Sequence, residues 1–453
     1  MQVTETLSDG LKREFKVVVP ADELDNRLVE RLASLKDEVR IKGFRPGKVP
    51  VNHLRKLYGR SAMAEIVQNM LREVAQKTLE ERGERAATPP DYDIPETEGE
   101  AELILSGKSD LAYTMTYEVL PKVVLGDFKT VEVERPVVEV GDDEVETQLQ
   151  QIAESGRTYE PRSGKAESGD RLTISYLGKI DGEPFEGGTD ENAVIRLGSG
   201  QFIPGFEEQL EGVAAGDEKT ITVTFPEDYG AKQLAGKTAT FDVTVKEVSM
   251  PGELVIDDQL AERLGLESID KLRDAIREQV GNQYKEASRM KVKRQILDRL
   301  DALHSFELPP KMVEVEFENI WRQVAADMAQ SGRTFEEEDT TEEAARADYR
   351  KIAERRVRLG LVLSEIGEKN AIEVREDEVQ RALAAQLRQF PGNEKAVLDY
   401  YRKDPDALAS LRAPIFEEKV VDFLLELVKV NDKTVTREEL MRNDEEDEPA
   451  SSA

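Results

Sequence analysis

Cysteine is absent from the 453 residues, and histidine occurs only as His53 and His304. The first absence excludes a disulfide framework, thiolate metal sites, a cysteine nucleophile and iron–sulfur ligation. The second nearly excludes histidine-rich metal sites and a serine–histidine–aspartate triad. No uninterrupted apolar run approaches the ~20 residues that span a bilayer. The opening MQVTETLSDG lacks the basic and apolar regions of a secretory leader. No GxxxxGK[ST] loop occurs, so no nucleotide site is expected. These absences predict a cytoplasmic chain with no membrane partner and no metal or other cofactor.

What is present is charge. The 94 Asp and Glu against 63 Lys and Arg give a formal net charge of −31, and charged residues reach 35% while aromatics stay at 6%. Hydrophobic residues still make up 39%, enough for packed cores. At roughly 150 residues per domain, the length suggests about three domains. Such acidity opposes nucleic-acid binding over the whole surface. One stretch breaks the pattern: Arg40, Lys42, Arg45, Lys48, Arg55, Lys56 and Arg60 follow one another without a single Asp or Glu.

Periodicity divides the chain. Phe15, Val17 and Val19 alternate like a strand that stops at Pro20, and Asp22 can cap a helix bearing Leu24, Leu28, Leu32, Leu35 and Val39. Two prolines and two glycines keep GFRPGKVP, residues 43–50, from being helical. A long helix follows through Leu54, Ile66, Met70 and Val74, with further strands expected at 103–105 and 113–119. Residues 120–140 suit an extended connection, and Asp142 to Ile152 a short helix. Between 169 and 249, LTISYLGKI, VIRLG, TITVTF and TFDVTVKEV alternate between Gly-rich turns. They predict a compact antiparallel sheet with one short helix near Gly205–Leu210. Beyond Met250 the period turns helical: Ile269 to Leu303, a helix opened by Pro309-Pro310, another from Thr341, one near Val379–Phe390, and one from Pro414 to Val430. The acidic end reads as a solvated, disordered tail.

The pieces ISYLGKIDGEPFEGG, VIRLGSGQFIPGFEEQLEGVAAGDEKTITVTFPEDYG and ATFDVTVKEV, in that order and spacing, resemble the FKBP-type peptidyl-prolyl isomerases over roughly 80 residues. The chemistry suits a chain poor in nucleophiles. An amide resists rotation by ~18–20 kcal/mol through resonance, whereas the two X–Pro isomers differ by only about 0.5–1 kcal/mol. An apolar pocket that favours the twisted amide over the planar one is sufficient. The resemblance places Tyr176, Phe185, Ile195, Phe202, Ile203, Phe206, Tyr229 and Phe241 at that pocket. Glu186 stands where an Asp is usual, Phe206 where a Trp is usual, and Ala193 and Ile195 replace two aromatics. The same rings could instead be the core of a small sheet.

GFRPGKVP sets Phe44 among cations on a loop, which suits either an ordinary turn or an anchor for an anionic partner. Together with the central FKBP-like segment and the helical remainder, this loop resembles the trigger factor family of bacterial ribosome-associated chaperones. The resemblance implies an α+β multidomain fold: an N-terminal α+β ribosome-binding domain (1–112), an extended linker with a short helix (113–155), an FKBP-like antiparallel β domain with a short helix (156–249), and an all-α chaperone domain with arms ending in an acidic tail (250–453). It implies that Gly43, Phe44, Arg45, Pro46, Gly47 and Lys48 dock on protein and RNA of the large ribosomal subunit beside the exit tunnel, and that the helical body cradles unfolded nascent chains without ATP. Helix faces within Met312–Met328 and Val420–Val430 are candidates for client contact. Two further readings stay open, a binding chaperone whose isomerase module has lost catalysis and a free-standing isomerase, as does homodimerisation when free.

Overall fold

The computed structural model describes residues 1–453 except 40–43, 45–47, 95–97, 228, 232, 333, 336–339 and 443–453. Strands β1 (Gln2–Asp9) and β2 (Lys12–Val19) form a hairpin turned at Gly10, whose φ of 50° suits glycine. Helices α1 (Ala21–Glu38) and α2 (Val51–Arg82), strand β3 (Asp91–Asp93), helix α3 (Glu98–Leu105) and strand β4 (Leu111–Glu118) complete a sheet of order β1-β2-β4-β3. Leu24, Leu28 and Leu32 of α1 and Leu54, Met63 and Met70 of α2 are buried with Phe15, Val17 and Val19 and with Leu111 and Met115.

Two expectations are corrected here. Residues 103–105 are helical, because GEAELIL is rich in Ala, Glu and Leu and the helix gains a turn of such formers before them. Asp22 lies in the first turn of α1 rather than capping it. The residue at the cap is Pro20, and the orphan N–H of Ala21 donates instead to Asp110 Oδ1 at 2.8 Å, from just before β4.

After a 3-10 turn at Phe128–Thr130 come β5 (Glu132–Val137) and α4 (Asp142–Ser155). The central sheet follows: β6 (Tyr159–Pro161), β7 (Arg171–Ile180), β8 (Glu183–Arg196), the short α5 (Phe206–Gln209), β9 (Glu218–Thr224) and β10 (Thr238–Pro251). Strand β10 pairs antiparallel with β6, β7 and β9, and β8 pairs with β7. Leu172, Ile174, Ile221, Val223, Val243 and Val245 fill the core between this sheet and α5.

The rest is helical: α6 (Asp258–Arg263), α7 (Ile269–Leu303), α8 (Pro310–Ser331), α9 (Glu342–Lys369), α10 (Glu376–Arg388), α11 (Glu394–Lys403) and α12 (Pro405–Leu427), then β11 (Lys429–Thr434) and α13 (Arg437–Met441). Pro414 sits inside α12 rather than opening it. Strand β5 pairs with β11, so the extended connection of the 120–140 region gains a partner from near the C-terminus. Val131 and Val133 join Val292, Ile296 and Leu300 of α7, Val362 and Ile366 of α9, and Val420, Val421 and Leu424 of α12 in one core. The Val420–Val430 face is therefore packed inside and is not a client surface. Among the described residues no helix is long and apolar enough to cross a membrane.

Packing divides the chain into two compact units, Met1–Pro136 with Arg289–Lys433, and Val137–Ser288 with Thr434–Ala453. In the second unit, Leu440 of α13 is buried with Val145 and Leu149 of α4 and Ile276, Val280 and Tyr284 of α7.

Candidate functional site

The central sheet curls over a cleft of about 560 Å³. Its walls include Tyr176 from β7, Phe185 from β8, Phe202 and Ile203 from the loop before α5, Phe206 from α5, Tyr229 from the loop after β9, and Phe241 from β10. These residues are spread over 66 positions of sequence, and antiparallel pairing brings them together. Phe206 is the floor, only 1% exposed. Around it the rings meet edge to face: Phe241 at 5.2 Å and 78°, Tyr176 at 6.1 Å and 77°, while Phe202 stacks at 5.2 Å and 27°. Phe185 stands edge-on to both Phe225 and Phe241 at 6.0 Å. Aromatic pairs favour these geometries through their quadrupoles. Tyr229 closes the rim, 39% exposed, with its ring 4.8 Å from Phe225.

Ile195 is placed differently. It is fully buried on β8, opposite Leu172, and belongs to the core rather than to the lining. The lining also holds residues that the sequence reading did not single out for it, among them Phe225, Gln201, Gln233 and Leu234. Phe225 continues the apolar face of Ile221 and Val223, which was the available signal.

Two glycines give the rings their space. A Cβ on Gly178 would stand 2.7 Å from Phe241 Cε1 and 2.8 Å from Phe185 Cε1, and one on Gly188 would stand 2.9 Å from Phe185 Cζ. A glycine inside a strand commonly marks such a close approach. Burial, with Asp190 and Tyr229 nearby, pushes the Tyr176 phenol above its ordinary range, so its hydroxyl stays a neutral donor at physiological pH. Behind the floor, Glu207 is buried, and its carboxylate accepts from the N–H groups of Gly200, Gln201 and Phe202 and from the Ser199 hydroxyl, all at 3.0–3.1 Å. Burial works against its charge, but these donors outweigh that and hold its pKa below the usual carboxylate range.

The basic loop lies in the other unit. Of its expected docking residues, Phe44 and Lys48 are both exposed, and Gly43, Arg45, Pro46 and Gly47 lie outside the described residues. The Phe44 ring rests 5.1 Å from that of His53 in the first turn of α2, and Val49 is buried beside it in the chain.

An antiparallel sheet with a short helix, curled over an aromatic-floored cleft, defines an FKBP-type peptidyl-prolyl isomerase domain. Residues 162–246 match the model of FKBP-type peptidyl-prolyl cis-trans isomerases. On either side, residues 1–152 match the model of bacterial trigger factor protein and residues 268–426 that of its C-terminus. The trigger factor of Rhizobium rhizogenes is 59% identical over 99% of this chain and 91% of its own length. That of Sinorhizobium fredii is 60% identical over 99% and 92%. Agrobacterium fabrum trigger factor is 58% identical over 99% and 91%. A solved trigger factor chaperone, reported for promiscuous substrate recognition in folding and assembly, has the same fold with a TM-score of 0.56 at 20% identity, covering 94% of this chain and 99% of that one. The chain belongs to the trigger factor family. It is a ribosome-associated chaperone that binds nascent chains and carries peptidyl-prolyl cis-trans isomerase activity.

Proposed function

We propose that the cleft around Phe206 is where X–Pro bonds isomerise, with Tyr176, Phe185, Phe202, Ile203, Tyr229 and Phe241 as its walls and Ile195 as core support beneath. The observation that carries this is the fully buried floor ring, ringed edge-on by aromatics. A proline ring laid on Phe206 brings its amide into an apolar enclosure. Twisting the C–N bond removes resonance and charge separation, so such surroundings favour the twisted over the planar amide. The Tyr176 hydroxyl, held neutral, is a donor on the wall. The test is isomerisation of a proline tetrapeptide by the full chain. Phe206→Ala should lower kcat/KM at least tenfold while the far-UV spectrum is kept, and unchanged activity would remove the site assignment.

We further infer that residues 43–48 dock the chain at the exit-tunnel protein and RNA of the large ribosomal subunit. An exposed Phe44 and Lys48 leading into α2, with exposed Lys56, Leu57 and Arg60 on its first turns, support this reading. A chain of charge −31 meets an anionic ribosome through the stretch from Arg40 to Arg60, which holds seven cations and no Asp or Glu. The functional division then follows the chain, with one shift from the sequence expectation: β4 runs through 113–118 as part of the N-terminal sheet, so 1–118 serves docking, the rest of 113–155 is linker, 156–249 serves isomerisation, and 250–453 is the chaperone body. Its client contacts are scattered exposed side chains such as Met290, Val315, Ile352 and Tyr400 on α7, α8, α9 and α11, each next to a charged residue, and Phe390 in the turn after α10. Dispersed patches bind weakly and avoid aggregation. The same surfaces support self-association when the chain is off the ribosome, in the bacterial cytoplasm. Co-sedimentation with purified ribosomes tests the docking: the Phe44, Arg45, Lys48 triple alanine variant should stay in the supernatant, and normal sedimentation would refute the loop's role.

A further inference from the structure

The segment Gly198 to Gly205 carries the Phe202–Ile203 wall, yet it has little of its own to fix it. It contains no regular element, and Gly198, Gly200 and Gly205 all take positive φ (79°, 69° and 86°). Backbone of that kind is permissive. Gln209 Nε2 donates to the Gly205 carbonyl at one end, and the centre of the segment is pinned by a carboxylate. Glu207 Oε1 accepts from Ser199 Oγ at 3.0 Å, from the Gln201 N–H at 3.0 Å and from the Phe202 N–H at 3.1 Å, and Oε2 accepts from the Gly200 N–H at 3.1 Å. Glu207 is 7% exposed, and among its described partners none is a cation. A carboxylate withdrawn from water without a counter-ion is costly unless hydrogen bonds replace its hydration, and here four neutral donors do so. Chain adjacency completes the geometry. Residue 206 is the floor and 207 the clamp, the Phe206 N–H donates to the Ile203 carbonyl at 3.0 Å, and Phe202 stacks on Phe206 at 5.2 Å.

We propose that Glu207 is a positioning residue of the isomerase: its buried carboxylate sets the 199–202 turn so that the Phe202–Ile203 wall stands at a fixed height over the Phe206 floor. The proposal rests on the reading of the cleft as the isomerase site. Glutamine is nearly isosteric with glutamate, but it offers one acceptor oxygen and turns an NH₂ group toward a backbone N–H, so Glu207→Gln loosens the turn without opening a cavity. Ser199→Ala removes one of the four donors and leaves the carboxylate in place.

The experiment is a double-mutant cycle in the full chain, read by proline-tetrapeptide isomerisation and by amide hydrogen exchange. E207Q should lower kcat/KM about tenfold, S199A about twofold, and E207Q should speed exchange at Gly200, Gln201 and Phe202 while β9 and β10 keep their protection. In a Phe202→Ala background the further effect of E207Q should shrink below twofold, because the wall it positions is gone. Losses that multiply in the double variant, or exchange unchanged at residues 200–202, would overturn the positioning role. Loss of protection across β9 and β10 would do the same, since Glu207 would then be serving the whole core. The Phe206→Ala measurement stands apart from these: if that variant keeps full activity, the site reading fails first and takes this proposal with it, whereas a dead Phe206→Ala beside a fully active E207Q overturns the positioning alone.

Discussion

Single side chains in this protein work by what is packed against them. Gly178 is the clearest case, since its missing Cβ is the space that Phe185 and Phe241 occupy. Gly178→Ala forces both rings aside, and overpacking of that kind costs about 1–3 kcal/mol. The variant should melt at lower temperature and lose several-fold in kcat/KM, which calorimetry and the proline assay check together. Glu84 joins three donors: Arg13 Nε at 3.1 Å, Arg82 Nε at 2.9 Å and the Tyr117 hydroxyl at 2.9 Å. Burial raises its pKa, but bonds from Arg82, Tyr117 and Arg13 outweigh that and hold it below the ordinary 4.5. A depressed carboxylate stabilises the fold above its unfolded-state pKa and loses that contribution as pH falls through the folded value. Glu84→Gln should therefore cost about 1–3 kcal/mol in urea unfolding at pH 7. The gap to the parent should narrow as pH falls below about 4.5; a gap independent of pH would show that the charge is not what matters.

Elements are fixed by partners distant in sequence. Strand β11 exists as a strand because β5 supplies its hydrogen-bonding edge, and Arg135 pairs with Asp432 across them at 2.6 Å. Helix α13 is only five residues long, too short to persist alone. It holds through a capping box between Thr436 and Glu439 and through Leu440, which is 2% exposed against α4 and α7. Leu440→Ala should release this segment: exchange at residues 437–441 should rise to that of free chain while the α4 and α7 amides lose only part of their protection. Filling a buried leucine site with alanine commonly costs 2–5 kcal/mol, so unchanged exchange would mean that the C-terminal segment is held by β11 alone. Helices α9 and α12 show the same dependence, since Gly367 leaves room for the Phe416 ring, with which an added Cβ would collide.

For the whole molecule, charge distribution is the governing property. A net charge of −31 helps keep a surface with scattered apolar side chains in solution and works against an anionic partner away from locally basic stretches. Docking that rests on a few cations facing RNA phosphates is salt-dependent, with log K falling by roughly 0.7–0.9 per phosphate for each unit of log salt. The co-sedimentation of the parent chain should accordingly weaken as salt rises, and the triple alanine variant should show both weaker binding and a flatter salt dependence. A variant that binds as tightly at every salt concentration would place the contact elsewhere.

Much of this is legible in the order of residues alone. The alternation of LTISYLGKI and TFDVTVKEV fixed strands, the 3.6-residue period fixed α1, α2, α7 and α8, and the order of the FKBP-like pieces pointed to the residues that line the cleft. Local sequence determines such features because each depends on a pattern within one element. The failures share the opposite cause. Residues 103–105 looked like a strand because an apolar triplet cannot be told from a helix end without its flanks. The acceptor for the first N–H of α1 comes from Asp110, and β11 needs β5, so no window of sequence contains the answer. Ile195 is core and Phe225 is wall, a distinction made only when β8 and β9 take their places around the sheet. Glu207 reads as one acid among 94 in the sequence. Only the fold withdraws it from water and aims four donors at it, because burial and hydrogen-bond geometry are properties of three-dimensional packing that residue order does not carry.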